Sequence, residues 1–175
     1  MPITDLLVKN AQQYGDKLCL TEINPELEER NGRQWKELAL VETAGANPYR
    51  KELTWRGFDE QANQFANLLL SRGIKRGDKV GVLLMNCIEW LPIYFGVLKT
   101  GAIVVPLNFR YSAEEIKYTL DLADVCLLVL GPEFVERMQT ILGDIPKVNA
   151  MYYVGDDCPA FALRYEDAAG TMPKN

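Results

Sequence analysis

From residue 54 onward the apolar positions switch repeatedly between two spacings. Phe58, Ala62, Phe65, Ala66 and Leu69 recur three or four apart, the period that puts residues on one face of a helix. Gly73 follows where that helix should stop, because glycine takes the left-handed conformation at little cost. The basic turn 72–79 then leads into residues 80–84, a continuous apolar run of strand length. A second helix is predicted next, with Asn86 as its cap and Glu89 completing a box-like start. Ile88, Leu91, Phe95 and Leu98 would form its apolar face, and Pro92, which lacks an N–H, belongs near its first turn. Lys99-Thr100-Gly101 ends that helix, and residues 102–107 read as the next strand. Ser112-Ala113-Glu114-Glu115 is a strict capping box, a hydroxyl at the cap and a carboxylate three residues on, with Ile116 and Leu120 pointing inward after it. Residues 125–130 form a third buried strand. Gly131-Pro132 interrupts the chain, Phe134, Val135, Met138, Ile141 and Leu142 outline a helix, and residues 148–154 are a final strand.

Short apolar strands separated by helices argue for βαβ units, hence an α/β fold: a largely parallel sheet with helices on both faces. The first fifty residues follow another pattern. Residues 3–14 are predicted helical and 17–23 alternate as a strand. The polar segment 24–51 contains Asn31-Gly32, a strong two-residue hairpin signal, a β-like stretch at 35–42 and the loop Ala44-Gly45-Ala46-Asn47-Pro48. This part reads as an N-terminal β-hairpin-like excursion, an insertion on what is otherwise a single unit over residues 1–175.

Composition narrows the function more than the fold. In 175 residues, 19 Lys and Arg stand against 24 Asp and Glu, a net charge of −5, so a broad footprint for nucleic acid is not expected. Histidine is absent, which removes Ser-His-Asp and Cys-His catalysis and His-ligated metals from the chain. Cys19, Cys87, Cys126 and Cys158 form no CxxC pair, so no zinc or thioredoxin-type site is implied. No apolar run reaches the roughly 20 residues of a membrane span, and Met1-Pro2-Ile3-Thr4-Asp5 does not read as a secretory leader. A cytoplasmic location is the expectation.

A parallel α/β sheet invites a search for a phosphate loop, yet neither GxGxxG nor GxxxxGK[ST] occurs. Glu114 and Glu115 read as helix-start carboxylates, Asp156 and Asp157 as a solvated turn, and the basic turn 72–79 as a solvated loop. Asn108 and Arg110 stand out, because ligands of parallel sheets sit beyond the carboxyl ends of strands, where a guanidinium can meet a phosphate.

Three stretches carry a resemblance: Leu53-Thr54-Trp55-Arg56-Gly57-Phe58, then Ala62-Asn63, then residues 98–108, ending Val105-Pro106-Leu107-Asn108. In order and spacing they resemble the first two motifs of the adenylate-forming ligases, on the acyl-CoA synthetase side of that family. The segments around Gly73-Ile74-Lys75-Arg76-Gly77-Asp78 and Asn86-Cys87-Ile88-Glu89-Trp90 are similar too. The resemblance implies the N-terminal piece of a longer enzyme that activates a carboxylic acid with ATP and magnesium and passes the acyl group to CoA. The phosphate loop and catalytic lysine would lie downstream, so no catalytic residue, metal ligand or cofactor is expected in this piece alone. It would be inactive, and prone to self-association through the face the remainder would cover; the alternative is a free-standing binding module on the same scaffold. By the same resemblance the turn after residues 98–108 lies on the CoA side, which makes Asn108 and Arg110 the candidate cofactor-binding residues. Gly57 departs from the family, which often has glutamate there, and so forfeits half of a capping box at Thr54.

Overall fold

The computed structural model describes residues 1–23 and 50–175. The hairpin expected at Asn31-Gly32, the β-like stretch 35–42 and the loop 44–48 lie outside the described residues. By its internal contacts the chain divides into two compact units, Met1–Asp59 and Glu60–Asn175.

In the first unit, helix α1 spans Ile3–Tyr14 and buries Leu7 and Ala11. Strand β1, Leu18–Ile23, pairs antiparallel with β2, Arg50–Thr54, from Leu18 opposite Thr54 to Ile23 opposite Arg50. A register shift between Leu18 and Leu20 bends the pair at one end. Arg50 is buried, and its Nε lies 2.6 Å from the Glu52 carboxylate, the partner a buried guanidinium requires. Thr54 starts the next helix: its Oγ1 accepts from the Gly57 N–H at 3.1 Å. The reciprocal bond of a capping box needs a side chain at position 57 and is missing, as the departure at Gly57 implies.

Helix α2, Trp55–Ser71, carries the chain into the second unit, and the apolar face read from its spacing is the buried one. It ends on Gly73 at φ +80°, with Gly73 N–H donating to Leu70 and Ile74 N–H to Leu69, the paired bonds of a Schellman stop. The sheet follows: β3 Lys79–Leu83, β4 Ile103–Pro106, β5 Val125–Leu130, β6 Ala150–Tyr153 and β7 Leu163–Arg164. All four pairings are parallel, in the order β4-β3-β5-β6-β7. The connections carry α3 Trp90–Thr100, α4 Ala113–Leu122 and α5 Val135–Ile141, with a short 3₁₀ turn Pro132–Phe134 before α5; α6, Tyr165–Gly170, follows β7.

Two apolar layers sandwich the sheet. On one face Phe65, Leu68 and Leu69 of α2, Ile93 and Val97 of α3 and Ala169 of α6 meet Val80, Val82, Leu127, Val129 and Tyr152. On the other, Ile116 and Leu120 of α4 and Met138 and Ile141 of α5 meet Leu83, Val125, Leu128, Leu130 and Tyr153. The alternation along β5 and β6 is the period-two pleat dividing its side chains between the faces.

Two local expectations fail at α3. The helix begins at Trp90 rather than after Asn86; Glu89 is its cap residue, with no side-chain cap bond. Asn86 instead lies exposed in the segment leaving β3. Its buried face is Ile93, Gly96 and Val97, while Ile88, Leu91, Phe95 and Leu98 are only half-buried. The reason is Gly96: a Cβ there would stand 2.9 Å from Phe65 Cβ and 3.0 Å from the Ala62 carbonyl oxygen, so α3 meets α2 at a backbone contact that no hydrophobicity pattern marks. Pro92 falls in the first turn, as its missing N–H requires. The Ser112–Glu115 box is complete, with both reciprocal bonds formed.

Candidate functional site

The strand order fixes where a ligand site belongs. The chain passes from β3 to β4 on one side, then crosses to β5 on the other side of β3. In sheets of this kind ligands sit beyond the carboxyl ends of the strands at such a reversal, which here falls between β3 and β5. Leu84, Met85 and Asn86 follow β3 there and Gly131, Pro132 and Glu133 follow β5, and the Gly131 N–H donates to the Leu83 carbonyl at 3.1 Å, closing the strand ends together. Residue patterns alone could not find this place, because strand order is a tertiary fact.

Asn108 and Arg110 lie on the turn beyond β4, the neighbour of β3. Asn108 shapes it: its Oδ1 accepts from the Arg110 N–H at 2.9 Å and its carbonyl from the Tyr111 N–H at 3.0 Å. That is a structural duty typical of asparagine in turns. The Arg110 guanidinium is exposed, 5.3 Å above the Phe109 ring, and among the described residues no hydrogen bond or ion pair engages it.

Arg137 is the residue the sequence reading missed. Its Nη1 donates to the carbonyls of Phe109 at 2.9 Å and Tyr111 at 2.7 Å, and its guanidinium lies 5.0 Å over the Phe134 ring. One side chain of α5 thereby ties the turn after β4 to the segment after β5, and these flank the end of β3. Nothing in the spacing of Arg137 signals this, since its partners are backbone carbonyls 26 and 28 residues away.

The rim is electrically divided. Arg110 and Arg137 lie toward β4 and β5, whereas Asp156 and Asp157 lie beyond β6. Asp156 takes Arg164 at 2.9 Å, so it belongs to an ion pair on this turn. Burial pushes the Tyr153 phenol up, and the nearby Asp157 charge adds to the shift. Among the described residues no group of three or more His, Cys, Asp or Glu is placed to hold a metal ion, and no helix is long and apolar enough to cross a membrane.

A parallel sheet whose strand order reverses at β3, with helices on both faces, defines a doubly wound α/β protein. The chain belongs to the AMP-binding enzyme family, whose model matches residues 27–173. It is 36% identical over 115 residues to a medium/long-chain-fatty-acid–CoA/3-oxocholest-4-en-26-oate–CoA ligase of Mycobacterium marinum, covering 66% of this chain and 21% of that one. It is 35% identical over 111 residues to a crotonobetaine/carnitine–CoA ligase of Salmonella paratyphi A, covering 63% and 22%. The fold matches the anthranilate CoA ligase AuaEII, solved in complex with anthranoyl-AMP, with a TM-score of 0.80 at 23% identity over 100% of this chain and 30% of that one. The chain thus spans about a fifth of the length of the curated relatives it matches.

Proposed function

We propose that this chain is the N-terminal part of an AMP-forming carboxylic acid–CoA ligase, and that alone it catalyses neither acyl adenylate nor thioester formation. The observation carrying the reading is that the two relatives named above are CoA ligases and match at 35–36% identity. Its physical complement is what the described residues offer. Adenylation needs a triphosphate held in line with a carboxylate, its developing charge neutralised by donors and magnesium. We assign the groups that hold ATP and magnesium to the rest of the longer protein. The Arg110 guanidinium, exposed and without a hydrogen bond or ion pair among the described residues, suits a phosphate, and we assign it with Asn108 to the CoA side of the reaction, Asn108 shaping the turn that presents it.

The test is a graft. Residues 50–175 replace the matching stretch of the Mycobacterium marinum ligase, and acyl-CoA formation is measured. The folded graft is expected to make thioester; one that folds but forms neither adenylate nor thioester overturns the reading. In that graft Arg110→Ala should raise the KM for CoA about tenfold, the loss of one charge-assisted contact, and leave ATP–pyrophosphate exchange unchanged. An unaltered KM removes Arg110 from the CoA side. The 175-residue chain itself should show no exchange of labelled pyrophosphate into ATP with any carboxylic acid.

A further inference from the structure

We infer that Arg137 is a positioning residue for CoA: it fixes the Asn108–Ser112 turn so that the Arg110 guanidinium is presented from one place, and it touches no ligand itself. This rests on the CoA-ligase reading above and deepens it, by naming the group that makes Arg110 effective. β4 is an edge strand, so the turn leaving it has a neighbouring strand on one side only. Asn108, Phe109 and Arg110 are exposed there. An exposed turn of this kind has little packing to order it, and an arginine carried on it would sample many positions.

Yet each peptide unit around Arg110 is held. In the unit between Phe109 and Arg110, the carbonyl accepts from Arg137 Nη1 at 2.9 Å and the N–H donates to Asn108 Oδ1 at 2.9 Å. In the next, the Tyr111 N–H donates to the Asn108 carbonyl at 3.0 Å. In the third, the Tyr111 carbonyl accepts from Arg137 Nη1 at 2.7 Å and the Ser112 N–H donates to Glu115 Oε2 at 2.8 Å. The first and third units are therefore gripped at both ends, and in each the carbonyl end is held by Arg137. Bonds from a charged donor are the stronger kind, and these reach the turn from a different helix.

Arg137 is itself anchored. Its guanidinium lies 5.0 Å over the ring of Phe134, which has no exposed surface, and its Nη2 donates to the Glu133 carbonyl at 3.4 Å. Both bonds to the turn leave one nitrogen, Nη1, whose two N–H groups are then spent, so that nitrogen has nothing left for a phosphate. Arg110 is the reverse case: its backbone is fixed, while among the described residues no hydrogen bond or ion pair engages its guanidinium. One arginine orders the turn and the other is free to meet the ligand. The backbone is ordered before CoA arrives, so binding costs only the freedom of the Arg110 side chain.

The test has two stages. The first is backbone amide NMR relaxation on the 175-residue chain. Residues 109–111 should show order parameters of about 0.85 in the parent and below about 0.6 in Arg137→Met, whose side chain still covers the Phe134 ring but donates nothing. Values that stay high in the variant overturn the inference. The second stage uses the graft into the Mycobacterium marinum ligase. Arg137→Met should raise the KM for CoA about threefold, with kcat and ATP–pyrophosphate exchange unchanged. Combined with Arg110→Ala it should raise the KM no further than Arg110→Ala does alone, because nothing is left to position. An arginine that merely supports the fold would lower kcat and exchange as well, or would add its effect to that of Arg110→Ala; either result overturns the inference. An unaltered KM in Arg137→Met, beside a raised one in Arg110→Ala, overturns it and leaves the ligase reading standing. A folded graft that makes no thioester overturns both. Should Arg137→Met not fold, Arg137→Gln, whose amide stops short of the turn, takes its place in both stages.

Discussion

The two faces of the sheet are built to different standards. Beneath α4 and α5 the layer of Leu83, Leu128, Leu130, Phe134, Met138 and Ile141 is closed and apolar, and its margins are locked by polar devices. These are the Ser112–Glu115 box, the Arg137 bonds to the turn after β4, and Lys147 held at 2.8 Å from Asp121 and 2.7 Å from Asp124. Asp124, at φ +53°, ends the α4 segment in a left-handed turn, and its carboxyl is held low by Lys147. Beneath α2, α3 and α6 the layer includes Tyr152, wholly buried with an unpartnered hydroxyl, and borders the cavity of Tyr165, Glu89 and Glu166. An unpartnered buried polar group costs stability, so it persists where something other than stability is served. The face of α4 and α5 is the one whose polar margins are locked. The opposite face is the one that carries an unsatisfied hydroxyl.

The sharpest way to break this contrast is truncation in the closed layer. Phe134 has no exposed surface, and Phe134→Ala should cost about 3–5 kcal/mol in urea unfolding, because a large cavity opens where no rotamer can fill it. Tyr152→Phe on the other face should cost nothing measurable, since it removes a hydroxyl that bonds to nothing. Equal losses in both variants would show that the faces do not differ.

Overpacking comes next in size. Gly96→Ala puts a methyl group within 3.0 Å of Phe65 Cβ and the Ala62 carbonyl, neither of which is the end of a flexible chain. It should cost about 1–3 kcal/mol, even though alanine favours helix by about 1 kcal/mol, since α3 must lift away from α2. A variant as stable as the parent would mean that this face is looser than its contacts suggest.

Gly96 also shows why some of the fold was legible and some was not. Strand positions at residues 125–130, the α2 face and the Ser112 box follow from local chemistry that a single sequence displays: apolar runs, helical spacing, a hydroxyl three residues before a carboxylate. The face of α3 follows from a close approach of two backbones, which an apolar count around Leu91 and Phe95 cannot register. The short β7 and α6, Leu163–Arg164 and Tyr165–Gly170, escaped because two strand residues carry no period. At the candidate site, Arg110 could be proposed from its place after a strand. Arg137 could not, since what it grips is backbone brought near by the crossover from β4 to β5.

The two helix starts sharpen the comparison at about 1 kcal/mol. Ser112→Ala should cost about 1 kcal/mol by freeing the Glu115 N–H. Gly57→Ala should raise stability by about 0.5–1 kcal/mol, because glycine at the third helical position carries backbone entropy that alanine does not. The new methyl would meet the Leu53 Cδ1 at 2.8 Å, the free end of a half-buried side chain that can turn aside. Chemical denaturation midpoints of the two variants should therefore move in opposite directions. If Gly57→Ala is neutral or worse, Leu53 is pinned, and the missing half of the Thr54 box reflects packing at β2 rather than a spare position.

The smallest effect at neutral pH becomes the most informative in alkali. Tyr165→Phe should change stability by less than about 0.5 kcal/mol near pH 7, where the phenol is neutral in folded and unfolded chains alike. Burial, with Glu89 and Glu166 adding to it, raises the folded value above the ordinary 10.0. A group raised in this way leaves stability intact below about pH 10 and removes it as the pH climbs from there toward the folded value, because the unfolded tyrosine loses its proton first. Melting curves from about pH 8 to 11 should fall more steeply for the parent than for Tyr165→Phe, and the two should part only above about pH 10. Parallel curves would mean that the Tyr165 phenol titrates as a solvated one does, with water rather than carboxylates and helix around it. The difference between this face and that of α4 and α5 would then rest on the Tyr152 hydroxyl and the packing at Gly96.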